Sequence, residues 1–153
     1  MVKLEPMQPE DFEGFLEQEV AGYAEEHVRN GNWEAEGAIE RSRKEFEHYL
    51  PDGVNSKDQY VWSILDDGKK IGVLWVQVKD RKAFIFDFVI DEMFRGQGYG
   101  KKALAAMDEK LVSMNAKSVE LHVFGDNITA QELYKKVGFE ITGIHMRKKL
   151  KSE

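Results

Sequence analysis

The stretch Arg95-Gly96-Gln97-Gly98-Tyr99-Gly100-Lys101 stands between an apolar segment, residues 83–90, and a helical pattern that begins at Gly98. Three glycines in five residues let the backbone approach a ligand closely, and they would be a costly way to build a turn alone. The first turn of a helix has amides without partners and a positive dipole end, and both attract anions. This stretch therefore predicts a cradle for a phosphate group.

Two common nucleotide motifs fit this stretch poorly. A Walker loop requires Ser or Thr after Gly100-Lys101 and another glycine five positions before Gly100, and the chain meets neither requirement. A dinucleotide fingerprint is loosely present in residues 98–103, but residues 91–95 separate it from the preceding strand, where a tight turn is needed. In addition, Glu120 lies inside a predicted strand and not at its carboxyl end. Both motifs are therefore disfavoured.

Hydrophobic periodicity divides the rest of the chain into strands and helices. Before the glycine stretch, it predicts a strand at 2–7, a helix from 12 to the stop signal at 30–32, a helix at 34–49, a hairpin of strands 60–65 and 71–78, and a central strand at 83–90. After the stretch, it predicts a helix with Leu104, Met107 and Leu111 on one face, a strand at 118–124, a helix at 127–137, and a last strand or pair at 139–150.

A family resemblance rests on three segments. Residues 95–100 resemble the (Gln/Arg)-x-x-Gly-x-(Gly/Ala) signature of the GNAT N-acetyltransferases, which holds the pyrophosphate of acetyl-CoA in that family. Residues 86–91 and 127–139 resemble the family's cofactor half in order and spacing, so the resemblance covers about residues 60–150. Residues 23–27, 121–124 and 146–150 are similar to the small bacterial YycN-type branch.

The resemblance implies the α/β GNAT fold: a central, mixed, mostly antiparallel twisted sheet of six to seven strands, flanked by about four helices. A chain of 153 residues favours one domain. We expect residues 1–60 to form the acceptor side of a single domain, 1–153, and residues 61–150 to form its acetyl-CoA-binding half.

The resemblance also implies the reaction, which is direct transfer of acetyl from acetyl-CoA to a primary amine in a ternary complex. The chain has no cysteine to carry an acyl group on a thiol, and it has no Gly-x-Ser-x-Gly elbow to supply a serine. The alternative is a module that binds and senses CoA without turnover. The presence of Tyr134 favours the enzyme.

The resemblance assigns a set of residues to the cosubstrate. In the family, backbone amides of the fourth strand hold pantetheine and the thioester, and these positions correspond here to Val89 and Ile90. The other expected cofactor-binding residues lie in the glycine stretch and in the helix after the next strand, and they are Arg95, Gly96, Gln97, Gly98, Tyr99, Gly100, Lys101, Asn127, Ala130 and Tyr134.

Three side chains are candidates for catalysis. Tyr134 matches the family tyrosine that protonates the leaving sulfur, although its apolar stripe with Leu133 equally fits core packing. His122 is a candidate base because an ordinary imidazole has a pKa of ~6.5. Asp87 is its rival, since burial in an apolar strand raises the pKa of a carboxyl. Both bases also fit structural roles.

The charge distribution indicates a cationic acceptor. Residues 1–60 contain fifteen acidic and six basic side chains, whereas the remainder contains thirteen acidic and sixteen basic ones. In the family, the segment between the first two helices lines the acceptor side. We therefore expect Glu25, Glu26 and Trp33 to bind the acceptor, although solvation and core packing explain them equally well.

Composition limits the remaining partners. The net charge of −6 argues against nucleic-acid binding, and the histidines lack ligand spacing, so no metal is expected. No apolar run approaches the ~18–20 residues of a membrane span, and residues 1–6 do not resemble a signal peptide. We expect a cytoplasmic protein without a membrane partner. Both a monomer and a homodimer are compatible with the sequence.

Overall fold

A five-stranded sheet organises the chain, and the computed structural model describes residues 1–151. The elements in chain order are β1 (Val2–Pro6), α1 (Phe12–Arg29), α2 (Ala38–Tyr49), β2 (Gln59–Asp66), β3 (Lys69–Lys79), β4 (Lys82–Ile90), α3 (Tyr99–Ser113), β5 (Ser118–Leu121) and α4 (Ile128–Lys136). The strands lie in the order β1-β2-β3-β4-β5. Only β4 and β5 pair in parallel, and the other three pairs are antiparallel.

Each face of the sheet has its own core. On one face, side chains of α3 pack on the strands, with Leu74, Leu104 and Met107 almost completely buried. On the other face, α1 and α2 contribute Phe15, Val20 and Phe46, which pack around Trp75. Because apolar residues leave the sheet on both sides, the sheet is the middle of three layers.

Residues at the ends of the helices determine where most of them begin or stop. Asn30 follows the last turn of α1, and its side-chain amide donates to the Glu26 carbonyl at 2.8 Å. The side chain of Asn127 caps α4 by accepting the Ala130 amide at 3.1 Å. The second helix begins at residue 38 and not at the predicted 34, because Gly37 before it adopts a left-handed φ of +79°.

The sheet departs from the sequence-based prediction at its far edge. The expected mixed, mostly antiparallel sheet is confirmed, but it has five strands and not six to seven. β5 ends at Leu121 and not at residue 124, and no strand forms within residues 139–151. That segment forms no ladder beside β5, and its apolar side chains at Ile141, Ile144 and Met146 are exposed. The predicted central strand, β4, consequently lies second from the edge.

Within residues 1–151, no helix is both long and apolar enough to cross a bilayer. In the same part of the chain, no three His, Asp or Glu side chains form a group with metal-binding geometry.

Candidate active site

A bulge in β4 opens the sheet. Trp75 of β3 lies opposite Asp87, whereas the next residue of β3 lies opposite Ile85, so Phe86 is an extra residue in β4. The parallel ladder between β4 and β5 ends where Ile85 meets Leu121, one residue before the bulge. The rest of β4 therefore has no strand on that side, and a cleft separates the two strands.

The bulge also changes which face of the sheet each side chain of β4 occupies. Ile85 packs in the α3 core before the bulge, and Phe88 and Ile90 pack there after it. The residues of β4 that face α3 are therefore odd-numbered before the bulge and even-numbered after it. As a result, Asp87 lies with Phe86 on the face toward α1 and α2. The one carboxyl of an otherwise apolar strand is thereby directed into the cleft.

The register of β3 and β4 decides which backbone amides face the cleft. The Asp91 amide donates to the Ile71 carbonyl at 2.8 Å, so these two residues form a hydrogen-bonded pair. Hydrogen-bonded and non-hydrogen-bonded pairs alternate along an antiparallel ladder. The backbone of Val89 therefore points toward β3, and the amides of Phe88 and Ile90 point toward the cleft. Of the two expected backbone positions, Ile90 faces the cleft, whereas Val89 contributes its side chain to the wall.

The glycine stretch forms an open loop at the start of α3. Gly96 and Gly98 have φ values of +76° and +82°, and a Cβ on either would meet no atom within 4 Å. Gly98 is the N-cap of α3, whose first turn lacks acidic residues and contains Lys101 and Lys102. Positive charge at the positive end of a helix is unfavourable unless an anion binds there. The loop therefore offers room and positive charge to an anionic group.

Other side chains of the stretch hold the loop in place. Arg95 and Gln97 donate to backbone carbonyls just before them, at 2.8 and 3.4 Å. The Tyr99 hydroxyl donates to the carboxylate of Asp66, at the end of β2, at 2.8 Å. A Cβ on Gly100 would lie 3.0 Å from Leu133, which shows how closely α3 approaches α4.

A cavity of about 350 Å³ lies between α1, α2 and the separated ends of β4 and β5. Four carboxyl groups line it, and within residues 1–151 no lysine or arginine does. The remaining wall is largely aromatic. The carboxyl groups belong to Glu19, Glu26, Glu45 and Asp87, and the rings include those of Tyr23, Tyr49, Trp75, Phe84 and Phe124.

Asp87 and Glu19 form a carboxyl pair in this cavity. Burial raises the pKa of Asp87 well above its ordinary value, and repulsion by Glu19 raises it further. Burial also raises the pKa of Glu19, whose carboxyl lines the same cavity. Oδ2 of Asp87 has no hydrogen-bond partner among the described residues. Because both burial and repulsion disfavour its charged form, Asp87 favours the protonated state.

Tyr134 reaches the cavity from α4, together with Asn127 and Ala130. Burial, followed by repulsion from Asp87, raises the pKa of Tyr134 to about 12. The phenol therefore keeps its proton at neutral pH and can donate it. Its ring also packs edge to face with Phe139, with centroids 5.5 Å apart, so Tyr134 contributes to packing as well.

His122 occupies the cavity mouth. It follows the last residue of β5, is exposed, and lines the cavity beside Phe124, with ring centroids 5.5 Å apart. Early termination of β5 thus places His122 in a loop and not in the predicted strand.

The three expected acceptor residues separate in space. Glu26 lines the cavity, and burial raises its pKa. Glu25 does not line the cavity, and its side chain is 78% exposed. Trp33 does not line it either, because its ring stacks on His27 at 4.0 Å and is covered by the Arg41 guanidinium at 4.4 Å.

Sequence reasoning missed the roles of Glu19, Glu45 and Tyr23 in the cavity wall. A signal for two of them exists, since Glu19, Tyr23, Glu26 and His27 occur at i, i+4, i+7 and i+8 on one face of α1. Carboxyl groups are seldom found on the buried face of a helix, so their presence there indicates a functional site.

Comparisons with known proteins identify the family and the fold. The sequence profile of the "Acetyltransferase (GNAT) family" matches residues 25–139. The chain is 40% identical to the uncharacterized N-acetyltransferase YycN of Bacillus subtilis (strain 168) over 97% of this chain and 99% of that protein. It is 32% identical to the spermine/spermidine N(1)-acetyltransferase of the same strain over 65% of each chain. The crystal structure of YycN superimposes with a TM-score of 0.96 and 39% identity, covering 99% of this chain and 100% of that one.

Proposed function

Because this chain belongs to the acetyltransferase (GNAT) family, we propose that it transfers acetyl from acetyl-CoA to a cationic primary amine by direct attack in a ternary complex. One observation carries the proposal: the glycine loop at the start of α3 and a cavity lined by four carboxyl groups meet at Phe88, which lines the cavity and lies 3.8 Å from the Cβ position of Gly100. The first feature suits an anionic cosubstrate, and the second suits a cationic acceptor.

The glycine loop supports acetyl-CoA as the cosubstrate. Gly96 to Lys101 present backbone amides and positive charge to the pyrophosphate, and the amides of Phe88 and Ile90 are available along the cleft edge. Asn127 and Ala130 border the same cleft from α4. When bound, the thioester supplies an electrophilic carbonyl carbon and a thiolate leaving group.

The cavity supports a cationic acceptor. Its carboxyl groups attract an ammonium group, and its aromatic rings can contact the attached carbon chain. We assign acceptor binding to Glu26 together with Glu19 and Glu45, in place of Glu25 and Trp33. A likeness to the spermine/spermidine enzyme is in keeping with a basic acceptor.

We assign the role of general base to the carboxyl groups of Asp87 and Glu19. An amine with a solution pKa of ~10.4 arrives protonated and must lose a proton before it attacks. A bound ammonium lowers the pKa of neighbouring carboxyls, so Asp87 releases its proton to solvent when the acceptor binds. The ionised pair can then take the proton of the amine, and His122 at the mouth is the rival base.

Tyr134 is suited to the second proton transfer of the reaction, which is to the leaving sulfur. Its buried phenol remains protonated at neutral pH, and it lines the cleft beside the amides of β4. We assign to Tyr134 the donation of a proton to the departing sulfur.

Thiol release from acetyl-CoA, measured with polyamines, an aminoglycoside, a lysine peptide and neutral amines, tests the proposal. We expect release with the cationic amines and its loss in Asp87→Asn. Tight acetyl-CoA binding by calorimetry without thiol release from any amine would instead favour a CoA-sensing module. An acidic limb of the kcat/KM profile that disappears in His122→Gln but persists in Asp87→Asn would transfer the role of base to His122.

A further inference from the structure

We propose that Arg147 is a positioning residue for the acceptor cavity: through Asn32 it holds the His27 ring in one tautomer, with the proton on Nε2. The inference rests on the proposed function only for its kinetic consequence. It joins three residues that are far apart in sequence, and it gives a role to the irregular segment 139–151.

The guanidinium of Arg147 binds the loop that follows α1 at two points. Nη1 donates to the Asn30 carbonyl at 3.2 Å, and Nη2 donates to Oδ1 of Asn32. The guanidinium is planar and its donors have the fixed geometry of a fork, so the two hydrogen bonds together fix the position of Arg147 against this loop. This fork ties segment 139–151 to the C-terminal end of α1.

The chemistry of the donors fixes the orientation of Asn32. Arginine has donors and no acceptor, so the side-chain atom of Asn32 that faces Arg147 must be oxygen. The amide nitrogen of Asn32 then faces His27, 3.1 Å from its Nδ1. Since this nitrogen can only donate, Nδ1 of His27 must accept.

An imidazole that accepts at Nδ1 is neutral and carries its proton on Nε2. Burial lowers the pKa of His27 and so favours this neutral form. The charged groups that face the ring are Glu45 and Arg41 from α2 and His122 from the loop after β5, and their effects on the pKa of His27 are smaller than that of burial.

Aromatic side chains hold the His27 ring on three sides. It stacks on Trp33 at 4.0 Å, and it is perpendicular to Tyr23 at 4.5 Å and to Phe124 at 4.8 Å. Nε2 is buried and has no hydrogen-bond partner among the described residues, although His27 lines the acceptor cavity. A buried donor without a partner is unfavourable, and a neutral oxygen or nitrogen elsewhere on the bound acceptor would satisfy it.

The direct test is the protonation pattern of His27, read by long-range proton–nitrogen NMR of the full chain at mildly alkaline pH. The signals are assigned by their absence in His27→Phe. We expect the Nε2–H form in the wild type and a mixture of tautomers in Arg147→Ala, while Lys148→Ala keeps the wild-type pattern. An Nδ1–H form in the wild type, or an unchanged pattern in Arg147→Ala, would overturn the inference.

Steady-state kinetics test the consequence. We expect Arg147→Ala to raise KM for the acceptor about fivefold, as when a hydrogen bond between neutral groups is lost, and KM for acetyl-CoA less than about twofold. Arg147→Lys keeps the charge without the fork, so it should resemble Ala. Rescue by lysine, or an equal rise in both KM values, would contradict the positioning role. If wild-type protein acetylates no amine, the proposed function fails, and the NMR result still decides this inference.

Discussion

Asp87 on β4 and Glu19 on α1 line the same cavity, where the Glu19 carboxyl adds to burial in raising the pKa of Asp87. The bulge at Phe86 creates this arrangement because it turns Asp87 toward the helices. No lysine or arginine among residues 1–151 lines this cavity, so ionisation of both carboxyls is unfavourable there. We therefore expect Asp87 to keep its proton until a cationic ligand lowers its pKa.

The carboxyl pair predicts an unusual pH dependence of stability. The raised pKa of Asp87 means that the folded state binds its proton more tightly than the unfolded chain does. The free energy of unfolding therefore falls as pH rises from the unfolded pKa toward the folded one. Asp87→Asn cannot ionise, so we expect it to melt at a higher temperature than wild type at neutral pH, with the difference shrinking toward acid pH.

Calorimetric melting over a pH series checks this expectation, and each kcal/mol corresponds to ~2–4 °C for a domain of this size. Glu25→Gln is the control, because its exposed carboxyl lies outside the cavity. A lower melting temperature for Asp87→Asn at neutral pH would mean that the carboxyl is ionised and stabilising.

Tyr134→Phe should lower kcat by ~10² or more while binding of acetyl-CoA changes little, because the ring still packs and only the proton donor is lost. With a pKa of about 12, Tyr134 should add no alkaline limb to the rate profile near neutral pH. Tyr60→Phe, on a distant exposed residue, is the matched control. An unchanged kcat, with chemistry shown to be rate-limiting, would leave Tyr134 a packing residue.

Gly98→Glu should abolish acetyl-CoA binding, because it places a carboxylate at the N-terminus where the pyrophosphate would bind. Gly37→Glu is a close control, since Gly37 is also a helix N-cap with an open Cβ position and a φ of +79°. Both variants incur a similar backbone cost. Calorimetry with acetyl-CoA should show binding only by Gly37→Glu, and equal affinity for the two would refute the cradle.

Glu26→Gln should raise KM for a cationic acceptor about fivefold to tenfold and weaken the dependence of kcat/KM on salt, because a buried charge facing the ligand is lost. Its neighbour Glu25 is exposed, so Glu25→Gln should change KM by less than about twofold. Equal effects from the two variants would indicate long-range attraction by the acidic half and not a contact inside the cavity.

Two glycine substitutions should change stability in opposite directions. A Cβ on Gly72 would lie 2.1 Å from the Val89 carbonyl oxygen, so Gly72→Ala must displace β4 beside the cleft and destabilise the fold. Gly14 is an exposed position of α1 with no atom near its Cβ position, so Gly14→Ala should raise the free energy of unfolding by about 0.5–1 kcal/mol. Urea unfolding measures both, and a neutral Gly72→Ala would mean that the strands separate easily there.

The sequence by itself determined the features that depend on neighbouring residues. Helix α1 follows from apolar spacing, α4 from the cap at Asn127, and the glycine loop from three glycines before a helix. These features are predictable because capping and periodicity act within one or two turns of the chain. The resemblance of residues 95–100 to the family signature is local in the same sense.

Only the tertiary structure decided the relationships between distant segments. The bulge at Phe86, the short β5 that leaves His122 in a loop, and the Arg147 contact with Asn32 all depend on register or on packing between elements. A shift of one residue in register moves a side chain to the other face of a sheet, and no local pattern reports it. For that reason Asp87 was visible as a lone charge in an apolar strand, whereas its pairing with Glu19 was not.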